Sequence, residues 1–360
     1  MQIGIIGLPN SSKTTIFNAL TRGQMETTAV PASVAETHSA TVDVPDPRVG
    51  VLSAMFRPRK TTYAQVQYND IAGLSPGIGK QGGIPGQLLN ALSRCDALLH
   101  VVRAFEDDTV PHAEGSVNPR RDLEAMDQEL AFSDLVIVEG RLERLQKDLN
   151  APQPARREAA DRERDLLLRL RAALEEGVPL RDVDLTADEE KSLRGYAFLT
   201  LKPVLVVLNV GDDGERVVGD LAYPHRRSAL LELRGRLEME IAQMGGEEAE
   251  TFLQEYGISE PTLNRMVRCC YQLLGLQSFF TVGEDEVRAW TIPQGATAVE
   301  AAGVIHSDLA RGFIRAEVVG YDDLVAAGSL AAVKERGQSR LQGKEYVVQD
   351  GDVLNIRFNV

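Results

Sequence analysis

The sequence predicts an α/β protein: a mostly parallel sheet around a phosphate-binding loop, an inserted helical hairpin, and a smaller α+β domain toward the C-terminus. Three observations predict this. A short apolar run leads straight into Gly7-Leu8-Pro9-Asn10-Ser11-Ser12-Lys13-Thr14 and then into helical spacing. Further apolar runs at 97–102 and 202–209 read as buried strands. Residues 120–197, between those two runs, are charged and helical with almost no strand signal. A length of 360 residues suits two or three domains.

The elements follow in order. Residues 3–6 form a strand that ends on Gly7, and Ile16, Phe17 and Leu20 then recur at helical spacing. Residues 22–60 read as irregular and contain Val44-Pro45-Asp46-Pro47-Arg48. The run 63–69 alternates like a strand and ends on Asp70, with a glycine-rich segment over 73–86. Apolar strands separated by helices imply a sheet covered on both faces. In the charged segment, Leu142, Leu145 and Leu149 share one helix face, as do Leu167, Leu170 and Leu174. Pro152 and Pro154 lie between the two runs, which predicts two antiparallel helices joined near 150–156. A helix over 261–274 closes this half. Strands are then expected at 288–292, 314–319, 346–348 and 353–358, with turns at Gly343 and Asp350-Gly351. The expected domains are 1–119 with 198–276, the hairpin 120–197, and 277–360.

Composition narrows the function classes. The net charge of −14 gives no global attraction for nucleic acid or an anionic membrane. No apolar run reaches 18 residues, so no transmembrane helix is expected. Met1 leads directly into the first strand with no basic leader. Cys95, Cys269 and Cys270 have neither C-x-x-C nor zinc spacing and read as reduced thiols, which fits a cytoplasmic protein.

The loop pattern carries the chemistry. In Gly-x-x-x-x-Gly-Lys-Ser/Thr, backbone N–H groups and a helix N-terminus face phosphate oxygens. The lysine reaches the terminal phosphates and the hydroxyl serves Mg²⁺. Gly7, Lys13 and Thr14 fit this pattern, and Ser12 occupies the second glycine position. Gly7, Pro9, Asn10, Ser11, Ser12, Lys13, Thr14 and Thr15 are the candidate phosphate-loop residues. Asp70-Ile71-Ala72-Gly73 supplies Asp-x-x-Gly, in which the carboxylate holds Mg²⁺ and the glycine N–H senses the γ-phosphate. Candidate metal residues are therefore Thr14 and Asp70, with Lys13 and Gly73 as candidate catalytic groups. Asn209-Val210-Gly211-Asp212 ends a strand where GTPases read the base, which makes Asn209, Val210 and Asp212 candidate base contacts. Gly77-x-Gly79-x-x-Gly82 matches a dinucleotide fingerprint in letters but does not lie between a strand and a helix, so that reading is set aside.

These residues resemble the YchF/Obg-like ATPase family of translation-factor-type P-loop NTPases. The resemblance rests on Gly7-Leu8-Pro9-Asn10, Val44-Pro45-Asp46-Pro47-Arg48, Asp70-Ile71-Ala72-Gly73-Leu74 and Val101-Val102-Arg103-Ala104-Phe105-Glu106-Asp107. It extends through Phe279-Phe280-Thr281-Val282-Gly283, Ala301-Ala302-Gly303-Val304-Ile305-His306-Ser307-Asp308 and Asp350-Gly351-Asp352. It implies a G domain, a coiled-coil arm and a C-terminal TGS (ubiquitin-like) domain. It also implies hydrolysis of ATP or GTP with Mg²⁺, a ribosome or translation-related RNA or protein partner, no membrane, and a monomer. Leu74 stands where many GTPases place a water-orienting Gln, and His112 aligns with a loop histidine proposed to replace it. Read by chemistry alone, a lone loop histidine is more often simply solvated.

Four positions depart from the family pattern. Ser12 puts a side chain where backbone approaches phosphate closely. The segment at Val34 lacks the metal-reaching threonine, with Ser33 and Thr37 as hydroxyl-bearing neighbours. Arg234-Gly235-Arg236 replaces a Ser-Ala-Lys-like turn, leaving Gly235 as the candidate base contact there. Asp212 stands where Glu is common. Two readings follow: a slow Mg²⁺-dependent NTPase switch, or a pseudoenzyme adaptor that keeps the fold with weak or no turnover.

Overall fold

The computed structural model describes residues 1–21, 37–72, 74, 77, 84–149, 153–211, 221–255 and 258–359. Gly73, Asp212, Ser33, Val34, Pro152, Gly79 and Gly82 lie outside the described residues.

The chain opens with β1 (Gln2–Ile6) and α1 (Lys13–Thr21), followed by β2 (Thr37–Asp43), α2 (Pro47–Phe56), β3 (Lys60–Thr62) and β4 (Gln65–Ile71). Next come α3 (Gly86–Arg94), β5 (Ala97–Ala104), α4 (Pro119–Leu149), α5 (Pro154–Glu175) and α6 (Ala187–Leu193). Then follow β6 (Val204–Val210), β7 (Ser228–Leu233), α7 (Gly235–Gln243), α8 (Gly246–Glu255) and α9 (Thr262–Leu273). The last stretch holds β8 (Leu276–Thr281), β9 (Glu286–Pro293), α10 (Ala298–Ile305), α11 (Ser307–Arg311), β10 (Phe313–Gly320), α12 (Tyr321–Ala327), α13 (Leu330–Glu335), β11 (Arg340–Gln342) and β12 (Asp352–Phe358). The chain divides into two compact units, Met1–Ala40 with Gln67–Met266, and Thr41–Val66 with Val267–Val360.

The first unit is built on a sheet of order β2-β4-β1-β5-β6-β7. β1 runs parallel to both β4 and β5, and β5, β6 and β7 continue the parallel run. Every residue of β5 is buried, and Ile3, Ile5 and Ile6 of β1 are fully so. This is the continuous apolar signature of strands covered on both faces. The parallel sheet expected from the sequence is therefore present.

The helical hairpin grows out of this unit. Leu123, Met126 and Leu130 of α4 lie one turn apart and pack into the core around the sheet. Further along, Val138 and Leu145 pack with Leu166, Leu167, Leu170 and Leu174 of α5. Arg141 grips Glu163 at both carboxylate oxygens, 2.8 Å each, which fixes the antiparallel register. α5 starts at Pro154, a residue well suited to the first helical turn. At the root of the hairpin, fully buried Asp134 accepts from Leu199 N at 2.8 Å and from Thr200 N and Oγ1 at 2.8 and 2.6 Å.

The second unit carries a mixed sheet of order β11-β10-β12-β8-β9-β3. α10 packs Ala298, Ala301 and Ala302 against Phe279, Ala316 and Val318, which makes an α+β layer. The sequence reading counted residues 41–66 with the 1–119 segment. In the structure β3 runs parallel to β9, with Lys60 opposite Glu286, and Thr41–Val66 pack in this second unit. Arg48 fastens that stretch by bonding Asp46 and Asp350, 2.8 Å each, over the ring of Phe280.

Three local expectations need correction. Residues 22–60 are not all irregular, because α2 forms where Asp46 caps the N–H of Arg48 and Pro47 opens the helix. Residues 346–348 do not form a strand: Val347 makes a single bridge to Thr297. A strand at Leu276–Thr281 precedes the first one expected in the C-terminal unit, at 288–292. Among the described residues no helix is long and apolar enough to cross a membrane.

Asp134 yields a prediction. Burial pushes its carboxyl up to about 6 despite the three donors aimed at it. Folding thus favours its protonated form, so its contribution to stability is full below about pH 4 and declines as pH rises to about 6. Asp134→Asn should flatten that decline. A single amide oxygen cannot serve three donors, so the variant should also lose ~1–3 kcal/mol at pH 7 in urea denaturation. Unchanged stability at both pH values would show that this buried cluster does not hold the hairpin root.

Candidate functional site

The loop after β1 is shaped by a close approach to β5. A Cβ on Gly7 would sit 2.3 Å from the carbonyl oxygen of Val101, closer than any side chain allows, and its φ of 153° suits glycine. Asn10 and Ser12 both take positive φ, 61° and 71°. Ser12 O then accepts from Ile16 N at 3.1 Å, which opens α1. The serine at the second glycine position therefore holds a left-handed conformation, at a cost of about 1–2 kcal/mol for an L-residue. Lys13 Nζ donates to the carbonyls of Gly7 and Leu8 at 2.9 and 2.8 Å. Burial lowers its pKa to about 8, while Asp70 pulls the other way.

Parallel register brings the second motif alongside. Asp70 pairs with Ile5, two residues before Gly7. Its Oδ2 accepts from Thr14 Oγ1 at 3.1 Å. Its Oδ1 is buried without a hydrogen-bond partner among the described residues. Burial raises the Asp70 carboxyl above its ordinary range, and Lys13, Thr14 and His38 oppose that rise. A lysine, a hydroxyl and a carboxylate with an uncommitted oxygen are thus gathered at the helix start. Thr15 is half-buried in the first turn of α1. Leu74 is buried in the sheet core, where its apolar side chain packs with Ile6 and Leu8.

The end of β5 frames the other side. His100 pairs with Ile6 and is buried, and burial, then Lys13, lowers its pKa to about 3, which leaves a neutral imidazole. Arg103 threads the following loop by donating to the carbonyls of Phe105, Asp107 and Val110. Asn10 Nδ2 reaches Pro111 O at 3.0 Å and ties that loop to the phosphate loop. The next residue, His112, lines a small cleft with Leu8, Pro9, Ser11, His100 and Arg103. Ser11 Oγ is buried there without a hydrogen-bond partner among the described residues. His112 is not a solvated loop histidine: its side chain is 5% exposed and Nε2 lies 2.9 Å from Asp122 Oδ2.

The third motif sits at the end of β6. Asn209 is buried, and its Oδ1 accepts from Gly235 N at 2.9 Å, at the start of α7. A Cβ on Gly235 would come within 2.8 Å of that oxygen. The Asn209 carbonyl is therefore committed to the helix start, and its amide NH₂ is the end that suits a ligand. Val210 is half-buried beside it. The structure thus brings Gly7, Lys13, Thr14 and Asp70 together, and holds Pro9, Ser11 and His112 around the adjoining cleft. Asn209 and Gly235 are paired at the end of β6. His100 and Arg103 were not singled out from sequence. The signal for them is a histidine and an arginine in an otherwise apolar strand, polar side chains that must find partners when buried.

Comparisons with known proteins give the family. Residues 2–139 match the MMR_HSR1 family model, described as a 50S ribosome-binding GTPase. Residues 276–359 match YchF-GTPase_C, described as a protein of unknown function (DUF933). A Bacillus subtilis (strain 168) protein named Ribosome-binding ATPase YchF is 41% identical over 370 residues, 99% of each chain. The chain belongs to the YchF family. A Pasteurella multocida YchF of the same name is also 41% identical, again over 99% of both chains. The solved Schizosaccharomyces pombe YchF GTPase superposes with a TM-score of 0.85 at 28% identity, covering 99% of this chain and 97% of that one. The YchF likeness thus spans both units and the hairpin.

The close approach at Gly7 predicts the effect of filling it. Gly7→Ala should lower stability by ~1–3 kcal/mol, because β1 or β5 must shift to admit the methyl group. Urea denaturation checks this, and a variant as stable as the parent would show that the loop does not press on β5.

Proposed function

We propose that this YchF-family chain is a slow Mg²⁺-dependent NTPase that hydrolyses a purine nucleotide, ATP or GTP, and works on the ribosome. The carrying observation is the convergence of Lys13, Thr14 and Asp70 at the helix start, with the Asp70 Oδ1 buried and unpartnered among the described residues. Such an oxygen, beside a hydroxyl, suits a hard cation that keeps most of its own waters. Thr14 and Asp70 would hold Mg²⁺, which would offset the negative charge of the phosphates. A cluster of three or more acidic or histidine ligands is not needed for such a site, and none occurs among the described residues.

The chain's own residues supply the rest. Lys13 exchanges the carbonyls of Gly7 and Leu8 for phosphate oxygens, and the negative ligand favours its charged form. The N–H groups of the loop and of the first turn of α1 face the same oxygens. Gly73 is the proposed γ-phosphate sensor. Asn209, with Val210, Asp212 and Gly235, forms the proposed base site. His112 is the proposed water-orienting group, since the buried Leu74 offers none. The ribosome enters from the names that the full-length relatives carry. Those names also include ATPase, which favours turnover over a pure adaptor role.

Phosphate release from Mg-ATP and Mg-GTP tests the reading. Wild type should release phosphate from at least one, and Lys13→Ala should lower the rate by at least about 100-fold, as loss of a charge aimed at the transferring group does. Undetectable turnover of both nucleotides by wild type would sink the enzymatic claim. Ser12→Gly should raise stability in urea denaturation by on the order of 1 kcal/mol, since it removes the strain of the left-handed conformation that the loop already holds. A variant no more stable than the parent would mean that the serine side chain supplies a compensating contact.

A further inference from the structure

His112 is held by a residue from another element. α4 begins with a defined cap: Asn118 Oδ1 accepts from Arg121 N at 3.1 Å, and Asp122 N bonds Asn118 O at 3.0 Å. Pro119 is its first residue. Cap and proline together fix where the first turn points. Asp122, in that turn, places Oδ1 on Arg121 Nε and Nη2 at 3.0 and 2.8 Å, and Arg121 also reaches Ser116 O at 2.7 Å. The other carboxylate oxygen, Oδ2, lies 2.9 Å from His112 Nε2, a close polar contact without hydrogen-bond alignment, and both side chains are 5% exposed.

The second ring nitrogen is engaged too. His112 Nδ1 accepts from Glu114 N at 3.1 Å. A nitrogen that accepts carries no proton, so the ring proton is on Nε2, facing the carboxylate. An imidazole orients or deprotonates water only through a nitrogen that can face it. In this arrangement neither can. Yet the ring lines the same cleft as Leu8, Pro9 and Ser11, so a released side chain has the phosphate loop beside it.

We propose that Asp122 is a positioning residue that latches His112 out of its working position, so that turnover requires the Asp122–His112 contact to open. Asp122 belongs to the first turn of α4, and α4 runs on for 31 residues into the hairpin. The latch therefore ties the histidine to the arm: a load on the hairpin that shifts this turn sets His112 free. The inference rests on the assignment of His112 under the proposed function, and the test separates the two.

Steady-state phosphate release by the full chain is measured for wild type, His112→Ala, Asp122→Ala and the double variant, with nucleotide affinity by calorimetry and thermal melting alongside. Asp122→Ala should raise kcat by at least about fivefold, the lower end of typical coupling between sites, with KM and nucleotide affinity unchanged. The double variant should be as slow as His112→Ala alone. Asp122→Asn keeps the size of the side chain and removes its charge, and should give a smaller gain of the same sign. It carries the test if Asp122→Ala loses its melting transition. A fall in kcat for the Asp122 variants, matching that of His112→Ala, would overturn the latch and make Asp122 a support of the working position. A gain that survives in the double variant would overturn it as well. If His112→Ala turns over like wild type, the assignment of His112 fails and the latch with it. If His112→Ala is slow and Asp122→Ala shows no gain, the latch alone fails.

Discussion

The site depends on β1 being clamped in parallel register between β4 and β5. That register puts Ile5 opposite Asp70 and Ile6 opposite His100. The chain leaving β1 must then turn in a slot bounded by the Val101 carbonyl, which a residue with a Cβ cannot occupy. Strand order reverses about β1, with β4 on one side and β5 on the other, and ligands of open α/β sheets bind outside the strand ends at such a point. Buried isoleucines and valines hold the register, so the geometry of the polar site is set by apolar packing beneath it.

Within that frame the polar groups are held in tension. Lys13 and Asp70 are both buried enough for their charged forms to be disfavoured, and each partly relieves the other. Lys13 is bonded to two backbone carbonyls, while one oxygen of Asp70 has no partner among the described residues. A phosphate with a divalent cation would satisfy both groups at once, which is the physical sense of the constellation. Ser12 works against it. The loop requires a left-handed residue at that point whatever the side chain, and serine adopts it only under strain.

Much of this was legible in the sequence. The strand–loop–helix at Gly7 to Thr14, the strand-end Asp70 and Asn209, and the leucine spacing of the hairpin are local patterns, and the structure has the loop, strands and helices there. The importance of Ser12 was visible as a departure, though its positive φ was not. What escaped was set by distant contacts. β3 is three residues of ordinary polarity whose place is decided by β9, more than two hundred residues away. His112 looked like a loop residue because the carboxylate that buries it is presented by the cap of a separate helix. Helix α2 is the exception: Asp46-Pro47 is a local start signal, masked by a short and weakly apolar run.

The hairpin and the nucleotide site share material. α4 packs its first turns into the sheet core, holds Asp134 at its midpoint, and carries Asp122 at its head. The proposed activity requires Thr14 and Asp70 to form a metal-dependent nucleotide site. Calorimetric titration with a non-hydrolysable ATP or GTP analogue, with and without Mg²⁺, tests that most directly in wild type and Asp70→Asn. Mg²⁺ should tighten wild-type binding on the order of tenfold, about 1.4 kcal/mol, and should do nothing for the variant. Equal affinity with and without Mg²⁺ in wild type, or the same Mg²⁺ response in both proteins, would contradict it.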